Sequence, residues 1–201
     1  MMQKKPTLEK ITPNFGSSFL LKKHEEFLKT NTPFWHFHPE IELVYVNKGK
    51  GKRHSGNHIS YFNKSQLVLI GSNLPHIGYL DRLTTNGSET LIQFLPDFLG
   101  KGFFKIPEMA AIDALFERAK KGIRFNIEIK QRIGAKIEKL IDLEGANRIT
   151  SFIEILNELG LNHDKINEDI NIVDIKDLQN SKSNEITFFH SKKYKAVANN
   201  T

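Results

Sequence analysis

Residues 34–56 read "FWHFHPEIELVYVNKGKGKRHSG", and the reading of this stretch decides the fold. His36 and His38 flank Phe37, and Glu42 follows four residues after His38. Side chains of an extended strand alternate between its faces, so His36 and His38 share one face and Phe37 takes the other. Pro39 donates nothing to a ladder and favours a bend. The strand after it places Glu42, Val44 and Val46 on one side. If that side is inward, Glu42 meets the two imidazoles, and His76 in "GSNLPH" is the fourth candidate. The plain reading is a solvated edge strand. The sharper reading is a set of ligands aimed into a β-barrel. Three neutral imidazoles and one carboxylate suit one divalent transition metal such as Zn, Fe, Ni, Cu or Mn. The same residues could instead grip the hydroxyls of a small polyol or sugar directly, because a polar lumen needs hydrogen-bonding groups with or without an ion.

Outward from this stretch, short apolar or alternating runs are punctuated by Gly, Asn and Pro, an all-β pattern. Strands are predicted at about 17–23, 34–38, 41–47, 51–55, 58–62, 66–70, 76–80 and 89–95. Gly56-Asn57 makes a tight turn, and "VNKGKGK" (46–52) reads as a looser hairpin. The basic run 48–54 then falls at a hairpin tip, where solvated lysines explain it better than a phosphate contact does.

Near Pro107 the period becomes helical. Met109, Ile112, Leu115, Phe116 and Ala119 fall on one face of a first helix, with Pro107 in its first turn and Gly122 after its end. A second helix fits 127–144, with Ile129, Ile133, Ile137, Leu140 and Ile141 in a stripe closed by Gly145. A third fits 147–159, with Ile149, Phe152, Ile153, Leu156 and Leu159 closed by Gly160. The short break between them implies an αα-hairpin. Its two stripes exceed what one hairpin contact needs, so a surplus apolar face is expected to meet either the barrel or a second copy. Three regions follow: a barrel over 1–106, a helical element over 107–161, and a polar linker or tail over 162–201.

The chain's 201 residues suffice for one good-sized domain and a small appendage. At 39% hydrophobic and 26% charged, the composition is that of an ordinary globular protein. No apolar run approaches ~20 residues, so no membrane partner is expected. The N-terminus lacks the apolar core of a secretory signal. The chain has no cysteine, which excludes disulfides and thiolate sites and makes the cytoplasm the default location. The net charge of +6 is spread along the chain and does not by itself indicate nucleic acid.

The spacing His36-x-His38-x3-Glu42-x6-Gly49 resembles the first motif of the cupin superfamily. Thr30 stands where that motif usually opens with glycine. Pro75-His76 resembles part of the second motif, and Ser65-Gln66 replaces its usual Gly-Asp. "HFHPEIELVYVNKGKGKRHSGNHI" followed by "LVLIGSNLPH" resembles the N-terminal sensing domain of AraC-type transcription regulators. "LIQFLPDFLG" (91–100), "IPEM", "AKKGIRF" (119–125) and the helix pair near 127–160 continue that similarity over about 15–165.

The resemblance implies a mainly β chain: a cupin double-stranded β-helix, or jelly roll, followed by an α-helical hairpin. It implies a sensor of a small-molecule effector, with sugars one candidate class, that forms a homodimer through the helix pair and is not an enzyme. A metal-dependent cupin enzyme, such as a dioxygenase or sugar isomerase, is the alternative. In that family a C-terminal domain of two helix-turn-helix units reads DNA. Residues 162–201 supply no such pair, so DNA contact is expected only through a domain absent from this chain. His36, His38, Glu42 and His76 are the expected metal ligands. Trp35, Tyr45 and Arg53 are added as expected pocket residues, with their facing left to the strand register.

Overall fold

The computed structural model describes residues 5–25 and 34–162 and the short strands 175–176 and 186–187, with the backbone alone described over 79–86. Among the described residues six strands precede the helices: β1 (Thr7–Leu8), β2 (Leu20–His24), β3 (His36–Phe37), β4 (Ile41–Ser55), β5 (His58–Ile70) and β6 (His76–Phe94). Two 3-10 turns, Phe103–Lys105 and Pro107–Met109, lead to α1 (Ala110–Ala119). Then follow β7 (Ile123–Arg124), α2 (Ile127–Leu140) and α3 (Gly145–Leu161). Strands β8 (Ile175–Lys176) and β9 (Ile186–Thr187) pair with each other in parallel. The rest of the expected tail lies outside the described residues.

The main sheet runs β1-β3-β6-β4-β5-β7, with β2 also paired to β6. Every pairing in it is antiparallel except β1 with β3. The predicted strands 41–47 and 51–55 are a single strand, as are 58–62 with 66–70 and 76–80 with 89–95. Gly49 and Gly51 read as turn punctuation, but β5 and β6 hold both edges of β4, so ladder bonds carry the backbone through. What remains of the expected hairpin is a bulge between Asn47 and Gly49, with Lys48 at φ 55°. The basic run therefore lies within a strand. The real tip is Gly56-Asn57, where Gly56 takes φ 57° and Ser55 pairs with His58.

The long strands roll the sheet. Eleven residues separate Glu42 from Arg53, about 36 Å in a straight strand. Yet Glu42 Oε1 lies 4.0 Å from Arg53 Nη1, so β4 folds over on itself. β6 follows it, pairing with 41–47 near its end and with 49–55 near its start. The result is a jelly roll with two faces, one enclosing a lumen and one covered by helices.

Alternation along β4 assigns those faces. Val44 and Val46 join Val68 and Ile70 in a small lumen cluster against Phe62, Leu74 and Leu91. Leu43 and Tyr45 face the other way, into a large core shared with all three helices. That core is continuous across Pro107, so roll and helices bury their apolar surface together. Most of the surplus face meets the barrel for the same reason. Ile129, Ile133, Ile137 and Leu140 of α2, and Phe152, Leu156 and Leu159 of α3, are fully buried within this one chain. Only Ile141, Ile149 and Ile153 of the two stripes keep partial exposure.

Two helix ends also differ from expectation. Gly145, at φ 54°, opens α3 and does not close α2, which ends at Leu140. Gly160 lies inside α3, where a Cβ would come within 2.4 Å of the Ala111 carbonyl oxygen, so it permits close packing of α3 on α1. Asn126 caps α2 by accepting from the Ile129 amide at 3.0 Å.

Candidate metal and ligand site

Four side chains converge at one end of the lumen. His36 comes from β3, His38 from the segment after it, Glu42 from the start of β4, and His76 from the start of β6. The ladder places His36 directly opposite His76. The bend after Pro39 is fixed from the side by the turn before β6, whose Asn73 amide donates to the His38 carbonyl at 2.7 Å. One ligand atom from each of the four lies within 4.8 Å of the others. His38, Glu42 and His76 are buried, and His36 keeps a partly open edge.

The protons on the rings can be placed by chemistry. His36 Nδ1 meets the Phe34 carbonyl at 2.8 Å, His38 Nδ1 the Glu40 carbonyl at 3.1 Å, and His76 Nδ1 the Leu74 carbonyl at 2.8 Å. A carbonyl oxygen only accepts, so each Nδ1 carries the hydrogen and each neutral ring turns an Nε2 lone pair inward. Backbone bonds of this kind orient metal-ligating histidines. The Gln93 amide agrees with the assignment, since its Nε2 lies 3.4 Å from His38 Nε2 and donates to Glu42 Oε2 at 2.8 Å.

That arrangement calls for a cation. His38 Nε2 and His76 Nε2 lie 3.2 and 3.5 Å from the same carboxylate oxygen, Glu42 Oε2. With both ring hydrogens committed elsewhere, these contacts set lone pairs against a carboxylate. Either a second ring proton or a metal ion must lie between them. His76 Nε2 is a buried polar atom with no hydrogen-bond partner. Two ligands of one ion at bonds of about 2.1 Å lie roughly 3.0–3.4 Å apart, which matches these separations. The donor set thus fits a mid-to-late first-row divalent ion, which His36, His38, Glu42 and His76 would hold.

Electrostatics agree with a cation-seeking centre. Burial pushes the Glu42 carboxyl up, but the His76 and His38 imidazoles and the Arg53 guanidinium outweigh it and hold it well below the ordinary carboxylate range. Burial pushes His38 down, and the neighbouring Glu42 and Glu40 carboxylates more than offset that and raise it. Burial, with His76 nearby, lowers His36.

The other expected pocket residues divide. Arg53 is in the lumen: its Nε donates to Gln66 Oε1 at 3.2 Å and its Nη2 to Glu89 Oε1 at 3.2 Å. The rings of Trp35 and His54 meet at a tilt of 34° with centroids 4.5 Å apart. His54 alternates along β4 with the lumen residue Arg53, and the Trp35 ring lies against it. Tyr45 is corrected, because its ring lies against Gly134 of α2 on the helix side. Gln93, Gln66 and Glu89 were missed. The signal for Gln93 was a single amide inside the apolar run "LIQF", directly opposite Glu42 in the ladder.

No protein-family model matches the chain, and no curated protein matches its sequence. Among solved structures, apo ToxT from Vibrio cholerae, a point variant, aligns at TM-score 0.45 and 12% identity over 71% of this chain and 54% of that one. Wild-type ToxT with bound unsaturated fatty acid aligns at TM-score 0.43 and 13% identity, over 75% and 55%. A cupin 2 conserved barrel domain protein from Rhodopseudomonas palustris aligns at TM-score 0.25 and 19% identity, over 50% and 84%. The matched span is about half the length of the ToxT chains. All three TM-scores are below 0.5. Among the described residues no helix is long and apolar enough to cross a membrane.

Proposed function

We propose that this chain is the sensing domain of an AraC-type transcription regulator, a roll that takes a small molecule at the His36, His38, Glu42 and His76 centre and reports its occupancy to the helices outside. One observation carries this reading. A single strand, β4, presents Glu42 to the centre on one face and Leu43 and Tyr45 to the helix-side core on the other. A shift of β4 on ligand binding therefore reaches α2 through the Tyr45–Gly134 contact without any intervening element. The motif spacing from His36 to Gly49 and the ordered segments up to "AKKGIRF" support the same family. The reading assigns no DNA contact to residues 5–162.

The centre holds one divalent transition metal in this reading, and the effector is a small polar molecule, with sugars the first class to screen. A homodimer through α2 and α3 remains part of the proposal, resting on exposed Ile127 and Leu161 and on Ile149 and Ile153, which pack on the core and stay half-buried. Elemental analysis of the purified chain, followed by a thermal-shift screen of sugars with metal present, tests the reading. One bound ion and a ligand-dependent rise in melting temperature support it, and a chain that takes up neither rejects it. Enzyme activity is the second reading, favoured by the unpartnered His76 Nε2 in a nearly complete metal-ligand set. Turnover of a candidate sugar or dioxygenase substrate by the metal-loaded chain would move the assignment there.

A further inference from the structure

We infer that the cleft between the roll and α1 is a second small-molecule site, built for a single aromatic ring that carries an ammonium group and a hydroxyl. The cleft lies outside the lumen and has a volume of about 180 Å³. An apolar cavity of roughly 150 Å³ accepts one benzene ring, so a cleft of this size has room for one ring and a short chain.

Its inner wall is apolar. Ile41, Phe104 and Phe116 line it and are buried, and the two phenylalanine rings meet edge to face with centroids 5.3 Å apart. Aromatic rings favour such edge and face contacts, which suits a planar guest. Ser72 adds one polar atom, because its Oγ is buried and has no hydrogen-bond partner. A buried hydroxyl left unpaired is costly, and a hydroxyl on the guest would pair with it.

The rim selects charge. Lys105 pairs with Asp113 and Lys120 with Glu117, each at 2.6 Å. All four line the cleft together with Asp97, an exposed carboxylate that has no ion pair among the described residues. Both lysine ammonium groups are therefore compensated, and one negative charge is left to attract a cationic guest.

The cleft also lies against the supports of the lumen centre. Ile41 immediately precedes Glu42, and next to Ser72 the Asn73 amide donates to the His38 carbonyl at 2.7 Å. A guest in the cleft thus rests on the two segments that set Glu42 and His38.

Tyramine serves as the probe, with phenethylamine, which lacks the hydroxyl, as its comparison. Both are titrated calorimetrically into the metal-free full chain and into its Asp97→Asn and Ser72→Ala variants, so the result stands apart from metal binding in the lumen. Tyramine should bind the unmodified chain saturably at about millimolar concentration or below. It should bind about fivefold more tightly than phenethylamine, and Ser72→Ala should erase that preference. Asp97→Asn should weaken both amines about threefold, as expected for an ion pair at an exposed carboxylate. Absence of saturable tyramine binding to the unmodified chain overturns the inference. So does an affinity that Asp97→Asn leaves unaltered, or a preference for tyramine that survives Ser72→Ala. Any of these results leaves the reading of the lumen centre standing.

Discussion

The two faces of β4 share a backbone and differ in almost everything else. On the helix side, Leu43 and Tyr45 join a core of apolar side chains contributed by every helix. On the lumen side, Glu42 and Arg53 sit in a polar network with three imidazoles, and only a small patch of valine and isoleucine lies beside them. Burying a large aliphatic or aromatic side chain contributes about 1.5–3 kcal/mol, whereas a satisfied polar pair contributes about 1 kcal/mol net. Stability is therefore concentrated on the helix face and chemistry on the lumen face.

The largest expected effect is on the helix side. Phe152 is fully buried and its ring meets those of Phe19 at 4.8 Å, Phe94 at 5.0 Å and Phe98 at 5.8 Å. Phe152→Ala should destabilise the chain by about 3–5 kcal/mol in denaturant unfolding. A loss below about 1 kcal/mol would show that the core is not centred there. Because Phe152 and Ile137 are core residues, a charge at either should give insoluble protein rather than soluble monomers.

A smaller effect tests the link between the faces. A Cβ on Gly134 would stand 2.3 Å from Cζ of Tyr45, so the ring must move. Gly134→Ala should cost about 1–3 kcal/mol, and adding Tyr45→Ala should recover part of that loss. Additive losses from the two changes would break the proposed coupling from β4 to α2.

The lumen side should respond mainly to pH. The folded Glu42 carboxyl titrates well below 4.5, its ordinary value. A carboxyl depressed by folding stabilises the folded state above its unfolded pKa, and that contribution is lost as pH falls through the folded value. The stability difference between the metal-free chain and its Glu42→Gln variant should therefore shrink as pH drops below about 4.5. A difference that stays constant down to the acid limit would show that Glu42 is not held ionised.

The contrast also explains what could be read in advance. Alternation alone put Glu42 with Val44 and Val46, and His36 with His38, because period two survives any uncertainty about which strand pairs with which. Applied one step further it would have sent Tyr45 to the face opposite Glu42, and Trp35 opposite His36. The glycines misled in three places, for different reasons. Ladder bonds on both edges of β4 carry the strand through Gly49 and Gly51. Gly145 takes a positive φ of 54° at the start of α3, a local backbone requirement, and Gly160 allows a close helix crossing set by tertiary packing. Gln66, Glu89 and Gln93 reach the centre or its Arg53 only through register and rolling of the sheet. No spacing in the chain announces them.

The most direct test of the centre is metal stoichiometry on the unmodified chain and on His38→Ala, with far-UV circular dichroism recorded on both. His38 is buried beside Glu42 and takes no part in the helix-side core, so its removal should cost about 1–3 kcal/mol and leave the spectrum unchanged. The unmodified chain should carry one divalent ion, and the variant none. An unmodified chain that takes up no ion, or a His38→Ala chain that retains it, would contradict the account.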